Sequence, residues 1–155
     1  MRIRRFRPED TKALKEITAQ TFDITSIDKN IEDRFGLLNA TDWVCRKLKH
    51  IDADIAANAE GIFVAEEEGQ VIGYITTVLD YDTLLARIPN MAVAAGHQGK
   101  GVGKALMDAS LAYMREKGME HAKIEALAQN PVATTFYPRV GFHEVARQVH
   151  YVMKL

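Results

Sequence analysis

A single cysteine, Cys45, stands among 155 residues, so no disulfide can form within the chain. That usage fits a reducing compartment and predicts a cytoplasmic protein. No apolar run approaches the ~20 residues of a membrane-spanning helix. The basic start, from Met1 to Arg7, has no apolar core behind it and so does not read as a signal peptide. An excess of one charge is also missing, since 20 Lys and Arg against 21 Asp and Glu leave a formal charge of −1. No bulk field draws the chain to nucleic acid or to an anionic membrane, and neither is expected as a partner. The histidines (His50, His97, His121, His143 and His150) show no metal-ligand spacing with other donors, so no metal is expected. Nothing resembles a Ser-His-Asp arrangement.

What remains is an ordinary globular composition, 47% hydrophobic and 26% charged. The length argues for one domain over residues 1–155, which buries ~70% of its unfolded surface without a staple.

Periodicity predicts the elements. A short strand over Met1 to Phe6 is followed by Pro8-Glu9-Asp10, with Asp10 placed to cap a helix. Ala13, Leu14, Ile17 and Phe22 give that helix, Thr11 to Phe22, its apolar positions. Two more helices are expected around 30–38 and 41–57, the second with a stripe of Trp43, Val44, Leu48, Ile51 and Ile55. Ile62 to Ala65 and Val71 to Leu79 read as an antiparallel hairpin around a polar turn, Glu66 to Gln70. Arg87 to Ala94 reads as one strand. Gly101 to Lys117 reads as an amphipathic helix stopped by Gly118, and His121 to Ala128 as a strand. Pro131 suits the first turn of a short helix through Pro138. A last strand or hairpin is expected from Gly141 to Leu155. The order is an α/β mixture without the regular strand–helix alternation of a dinucleotide fold.

The informative stretch lies between the strand and the amphipathic helix: Gln98-Gly99-Lys100-Gly101-Val102-Gly103-Lys104. Glycines at alternate positions let backbone N–H groups come close to a ligand. A helix starting here aims its unpaired N–H groups and its positive dipole end at one place, a site for phosphate or pyrophosphate. A P-loop is excluded, because Gly103-Lys104 is followed by Ala105 and position 98 is not glycine. The dinucleotide fingerprint fails too, since its last glycine would fall on Lys104 or Leu106.

Gln98, Gly101 and Gly103 do fit Q-x-x-G-x-G, with Met91-Ala92-Val93 as the strand before them. On these residues the chain resembles the GNAT family of N-acetyltransferases, in which this motif binds the pyrophosphate of coenzyme A. A second stretch, Asn130 to Phe142, is similar to that family's N-x-x-A-x-x-F-Y-x-x-x-G-F. The resemblance runs from about Gly61 to Phe142 and fades before Gly61. It departs from the family at Gly96-His97 and at Pro138, which is placed to end or kink the short helix early.

The resemblance implies an α/β (α+β) fold: a mixed, mostly antiparallel twisted sheet of six to seven strands flanked by helices. It implies transfer of an acetyl group from acetyl-CoA to a primary amine by direct attack in a ternary complex. It assigns cofactor binding to Met91, Ala92, Val93, Gln98, Gly99, Lys100, Gly101, Val102, Gly103, Lys104 and Asn130. Lys100 and Lys104 either pair with phosphate or are ordinary solvated lysines, and Asn130 by itself reads as a helix cap.

The chemistry has three needs. The amine must lose a proton to a base. Glu125, on a strand twelve residues before Tyr137, is the candidate by likeness to relatives that acetylate protein N-termini; otherwise it is a solvated or salt-bridged strand residue. Asp80 and Asp82 are the runners-up. The thioester oxygen must be stabilised as it gains charge. The resemblance points to the N–H near Val93, with a bulge over 90–93 opening a slot; the plain alternative is a buried strand end. The leaving thiolate needs a proton, and Tyr137 is either its donor or a core tyrosine.

The contrasting functional class is a CoA-binding sensor or scaffold of the same fold without turnover. The acceptor, a small-molecule amine or a peptide or protein amine, is expected against residues 23–58 and 80–87. The acids there (Asp23, Asp28, Glu32, Asp33, Asp80 and Asp82) either suit a cationic amine or are solvated surface. The family's habit of dimerising makes a homodimer through the C-terminal strands an expectation.

Overall fold

A computed structural model describes all residues, 1–155. Six strands and five helices form: β1 Arg2–Arg5, α1 Thr11–Thr21, α2 Ile27–Phe35, α3 Trp43–Asn58, β2 Phe63–Glu67, β3 Gln70–Ile75, β4 Leu85–Ile88, β5 Met91–Val93, α4 Val102–Glu116, β6 His121–Ile124 and α5 Pro131–Val140. One-turn 3-10 helices precede α1, follow α3 and precede the glycine turn. No helix is long and apolar enough to cross a membrane.

The strands fall into two sheets. One is four-stranded and antiparallel in the order β1-β2-β3-β5; the other pairs β4 with β6 in parallel. The expected single strand over Arg87 to Ala94 is thus two strands in two sheets. Pro89, which has no N–H to give a ladder, marks the break. The β2–β3 turn is tighter than expected. Only Glu68 (φ 51°) and Gly69 (φ 79°) lie outside the strands, the two positive φ values of a type I′ hairpin. Glu66 is therefore a strand residue, not part of a solvated turn, and it accepts from Arg2 Nε at 3.0 Å and Arg4 Nε at 2.6 Å.

Each face of the main sheet carries its own core. Leu14 and Ile17 of α1 and Ile51 of α3 pack with Ile62, Val64, Tyr74 and Ala92. On the opposite face Val102, Leu106, Met107, Tyr113 and Met114 of α4 pack with Phe63, Ala65 and Ile75, and with Ala86 and Ile88 of β4. The buried face of α3 carries Trp43 and Ile51 of the expected stripe, and also Lys47 and Asp54, which that stripe did not include.

Three local expectations are corrected. Asp10 occupies the N-cap position of α1 but makes no capping bond. Arg4 takes its carboxylate instead, with Nη1 at 2.7 Å and Nη2 at 2.9 Å, and the Arg7 N–H donates to it at 2.8 Å; a charged fork holds a carboxylate more strongly than one helix N–H. Pro138 does not end α5, which runs on to Val140 and closes at Gly141 (φ 116°). No strand forms after Gly141, where Val145, Val149 and Tyr151 are 90%, 74% and 89% exposed. Apolar alternation becomes a strand only when it seats on another strand's edge; this segment seats on none, and the outer edge of β6 stays unpaired.

Candidate active site

The two sheets part at one point. Ile88 and Ile124 are the last partners of the parallel β4–β6 ladder. Beyond them one chain enters Pro89-Asn90 and β5, while the other leaves the sheet at Glu125. β5 therefore has β3 on one side and no strand on the other. The Ala94 N–H donates to Ile72 O, and Asn90 O accepts from the Thr76 N–H, both at 2.9 Å. Backbone groups alternate sides along a strand, so the N–H groups of Met91 and Val93 face the open edge. The edge of β5 is left unpaired here by a strand break, not by the expected bulge. Met91 and Val93 are half-buried and Ala92 is buried.

The glycine turn follows directly. Gly99 and Gly101 have φ of 73° and 84°, a region that costs other residues ~1–2 kcal/mol. Gly101 is the N-cap of α4 and supplies no side-chain cap. None of the six N–H groups from Gly99 to Lys104 donates to a backbone or side-chain acceptor in the chain, whereas the Ala105 N–H reaches Gly101 O at 3.0 Å. This is a row of donors at the positive end of a fifteen-residue helix, the arrangement that takes phosphate groups. Val102 is instead a buried core residue at 3% exposure, so only its backbone is offered.

The side chains of the turn are already committed. Gln98 Nε2 donates to Val93 O at 2.9 Å, tying the turn to the open edge. Lys100 Nζ donates to Gly96 O at 2.8 Å, and Lys104 Nζ to Asp108 Oδ2 at 2.6 Å. Gly103 is packed closely: a Cβ there would lie 2.9 Å from Met91 Cε and 4.0 Å from both Phe136 Cζ and Val93 Cγ2. The strand edge, the turn and α5 thus meet at one glycine.

Tyr137 is next to Phe136, edge-on to it at 5.6 Å and to Phe142 at 6.1 Å. Its hydroxyl has no hydrogen-bond partner in the chain, and burial pushes its pKa up to about 12. It is therefore a protonated donor at every physiological pH. Asn130 caps α5, its Oδ1 accepting from the Ala133 N–H at 3.2 Å; its Nδ2 is uncommitted.

Glu125 is not mid-strand as expected but the first residue past β6. Its side chain is 64% exposed, with Oε1 2.7 Å from Lys123 Nζ. Lys123, aided by Arg87 and His150, holds the carboxyl below the usual range, and no hydrogen bond joins it to Tyr137. Asp80 is spent on its own loop, accepting from Thr83 Oγ1 at 2.7 Å and the Asp82 N–H at 3.0 Å. Asp28 lies 3.5 Å from Arg46 and 3.6 Å from His50, Asp33 pairs with Lys29, and Glu32 accepts from the Trp43 N–H at 2.5 Å. Asp28, Glu32 and Asp33, three of the six acids expected near the acceptor, thus lie against cations within the fold.

Known proteins resemble this chain in sequence and in fold. The profile of the acetyltransferase (GNAT) family matches residues 27–142. Over 88 residues the chain is 33% identical to a mycothiol acetyltransferase of Streptomyces griseus, covering 56% of this chain and 29% of that protein. The chain spans no more than 30% of the length of the mycothiol acetyltransferases it matches at 32–35% identity. An N-alpha-acetyltransferase of Sulfurisphaera tokodaii is 32% identical over 100 residues, 57% of this chain and 60% of that protein. The crystal structure of PaiA N-acetyltransferase from Thermoplasma acidophilum, in complex with coenzyme A, has the same fold, with a TM-score of 0.73 and 21% identity over 92% of this chain and 89% of that one.

Proposed function

The chain belongs to the acetyltransferase (GNAT) family, and from that premise we propose that it transfers an acetyl group from acetyl-CoA to a primary amine. The observation that carries the reading is the row of six free N–H groups from Gly99 to Lys104 beside an open strand edge. The row suits the pyrophosphate, and the edge suits the amide-bearing arm of the cofactor.

Bound acetyl-CoA supplies a thioester; the protein's part is to position it and manage charge. The N–H of Val93 meets the charge that develops on the thioester oxygen. The amine nitrogen bonds to the carbonyl carbon, the C–S bond breaks, and the nitrogen releases a proton. Glu125, ionised at neutral pH, receives that proton through water. Tyr137 donates a hydrogen bond to the departing sulfur. With a pKa pushed up to about 12, against about 8.5 for a typical thiol, the phenol stabilises the thiolate more than it surrenders its proton.

The acceptor is a small-molecule amine or a peptide N-terminus, the second supported by likeness to a protein named as an N-alpha-acetyltransferase. Thiol release from acetyl-CoA across a library of amines and peptides tests the reading. Release that depends on both substrates supports it. Tight CoA binding with no release for any amine would assign a sensor or scaffold role instead.

A further inference from the structure

Asn90 sits at the break between β4 and β5, and all its polar groups are engaged. Its N–H donates to Thr76 Oγ1 at 3.0 Å, and its C=O accepts from the Thr76 N–H at 2.9 Å. Its Oδ1 accepts from Lys47 Nζ at 2.7 Å, and its Nδ2 donates to Asp54 Oδ2, also at 2.7 Å. Thr76 Oγ1 donates to the same Asp54 oxygen at 2.7 Å. All four residues are buried: Thr76 0%, Asn90 4%, Asp54 7% and Lys47 9% exposed.

The charges orient the amide. Its oxygen meets an ammonium and its nitrogen a carboxylate, and flipping it would set like against like at both ends. Lys47 and Asp54 make no direct salt bridge, so the amide is their bridge. Burial lowers the Lys47 pKa, against the opposing charges of Asp28 and Asp54, and the Phe22 ring lies 4.2 Å from Nζ. Nothing in an ordinary strand connection calls for this arrangement. Polar groups desolvated at this depth are costly unless each is paired, and here the pairing converges on the residue that starts the open edge.

We infer that Asn90 is a positioning residue for acetyl transfer: its amide, held between Lys47 and Asp54, fixes the angle at which β5 leaves β4 and so sets the N–H groups of Met91 and Val93 at the slot. The inference rests on the acetyltransferase reading. β5 is three residues long and cannot hold its pitch by ladder bonds alone. Gln98 ties down its far end through Val93 O. Asn90 ties down the near end, and it does so to α3, across the sheet from α4. The edge is thus referenced to the acceptor-side helices as well as to the turn.

The test uses Asn90→Leu, the milder Thr76→Val, and the exchange variant Asn90→Asp with Asp54→Asn. The exchange restores a hydrogen-bonded carboxylate and amide, with the carboxylate against Lys47. The readouts are CoA affinity by calorimetry, the split between kcat and the amine KM, and amide hydrogen exchange at residues 91–93. Asn90→Leu is expected to raise the CoA Kd tenfold or more and to lower kcat by at least as much. The amine KM should move less than threefold, and Ala92 should exchange faster. Thr76→Val moves the same quantities in the same direction by a smaller factor, and the exchange variant returns to within about threefold of wild type. A folded Asn90→Leu protein with CoA Kd and kcat within twofold of wild type overturns the inference, as does an exchange variant no better than Asn90→Leu. If Asn90→Leu does not fold, Thr76→Val and the exchange variant decide on the same readouts. If the wild type itself neither binds CoA nor transfers acetyl, the functional reading has failed, and the clamp stands or falls on whether exchange at residues 91–93 quickens in these variants.

Discussion

Gly103 lies directly against the Met91 side chain, close enough that a Cβ would come within 2.9 Å of Met91 Cε. The atom in the way is the end of a flexible side chain. Gly103 is also in the first turn of α4, where alanine gains up to ~1 kcal/mol in helix propensity. Gly103→Ala is therefore expected to stay within about 1 kcal/mol of wild type. Gly101 is the opposite case: nothing crowds it, but its φ is 84°. Gly101→Ala should destabilise by ~1–2 kcal/mol and turn the donor row away from its ligand, weakening CoA binding at least tenfold. Urea denaturation and calorimetry of the two variants check the contrast.

Tyr137→Phe separates chemistry from packing. Removing a hydrogen-bonded hydroxyl usually costs ~0.5–1.5 kcal/mol, but the Tyr137 hydroxyl makes no bond in the chain. The variant should keep the wild-type melting temperature to within a degree or two. Turnover should fall tenfold or more, the effect of losing one hydrogen bond to a charged atom, ~1.5–3 kcal/mol. Because the phenol titrates only near pH 12, no alkaline limb below pH 10 belongs to it. Pre-steady-state thiol release and a thermal melt report the two effects separately.

Glu125 gives a pH prediction with a definite sign. Lys123 is the largest cause of its lowered pKa. Lys123→Met removes that hydrogen bond and charge, so the Glu125 pKa rises towards its ordinary value. If Glu125 receives the amine's proton, the acidic limb of kcat/KM then moves to higher pH. Glu125→Gln should remove the limb and lower turnover strongly, with CoA affinity near wild type. A pH–rate series on the three proteins measures it.

Asp10 carries stability, not catalysis. It is 5% exposed, and Arg4 holds its pKa below the usual range. A carboxyl whose folded pKa is depressed stabilises the fold above its unfolded pKa, about 3.9, and loses that contribution as pH falls through the folded value. Asp10→Asn leaves Arg4 short of its main partner in a largely buried position, at a cost of ~3 kcal/mol at pH 7. The gap between variant and wild type should narrow below pH 4. Urea midpoints at pH 7 and pH 3 give the comparison.

The sequence was most legible where local chemistry decides structure. Gly99 and Gly101 are needed for positive φ whatever surrounds them, so the turn could be read from spacing alone. Asn130 was recognisable both as a cap and as part of a family motif. The strand break was less visible: Pro89 signals it, but the apolar run of Met91 to Val93 continues the pattern and hides the change of sheet. Lys47 and Asp54 are hard to place from sequence because charge usually marks the solvent side of a helix. Yet they share the face of Trp43 and Ile51 at spacings of four, four and three, and that helical register is the signal that finds them. The C-terminal alternation misled for the converse reason, since a pattern shows which side could be buried, not whether a partner is there.

In the proposed function the turn from Gly99 to Lys104 holds the pyrophosphate of coenzyme A beside the open edge of β5. The most direct measurement is a titration of the ¹⁵N-labelled protein with coenzyme A, read at each backbone amide. The largest shifts are expected at the N–H groups of residues 99–104, followed by Met91 and Val93, with Ala92 moving less because its N–H already faces β3. Shifts centred elsewhere, or none at saturating coenzyme A, would contradict that placement.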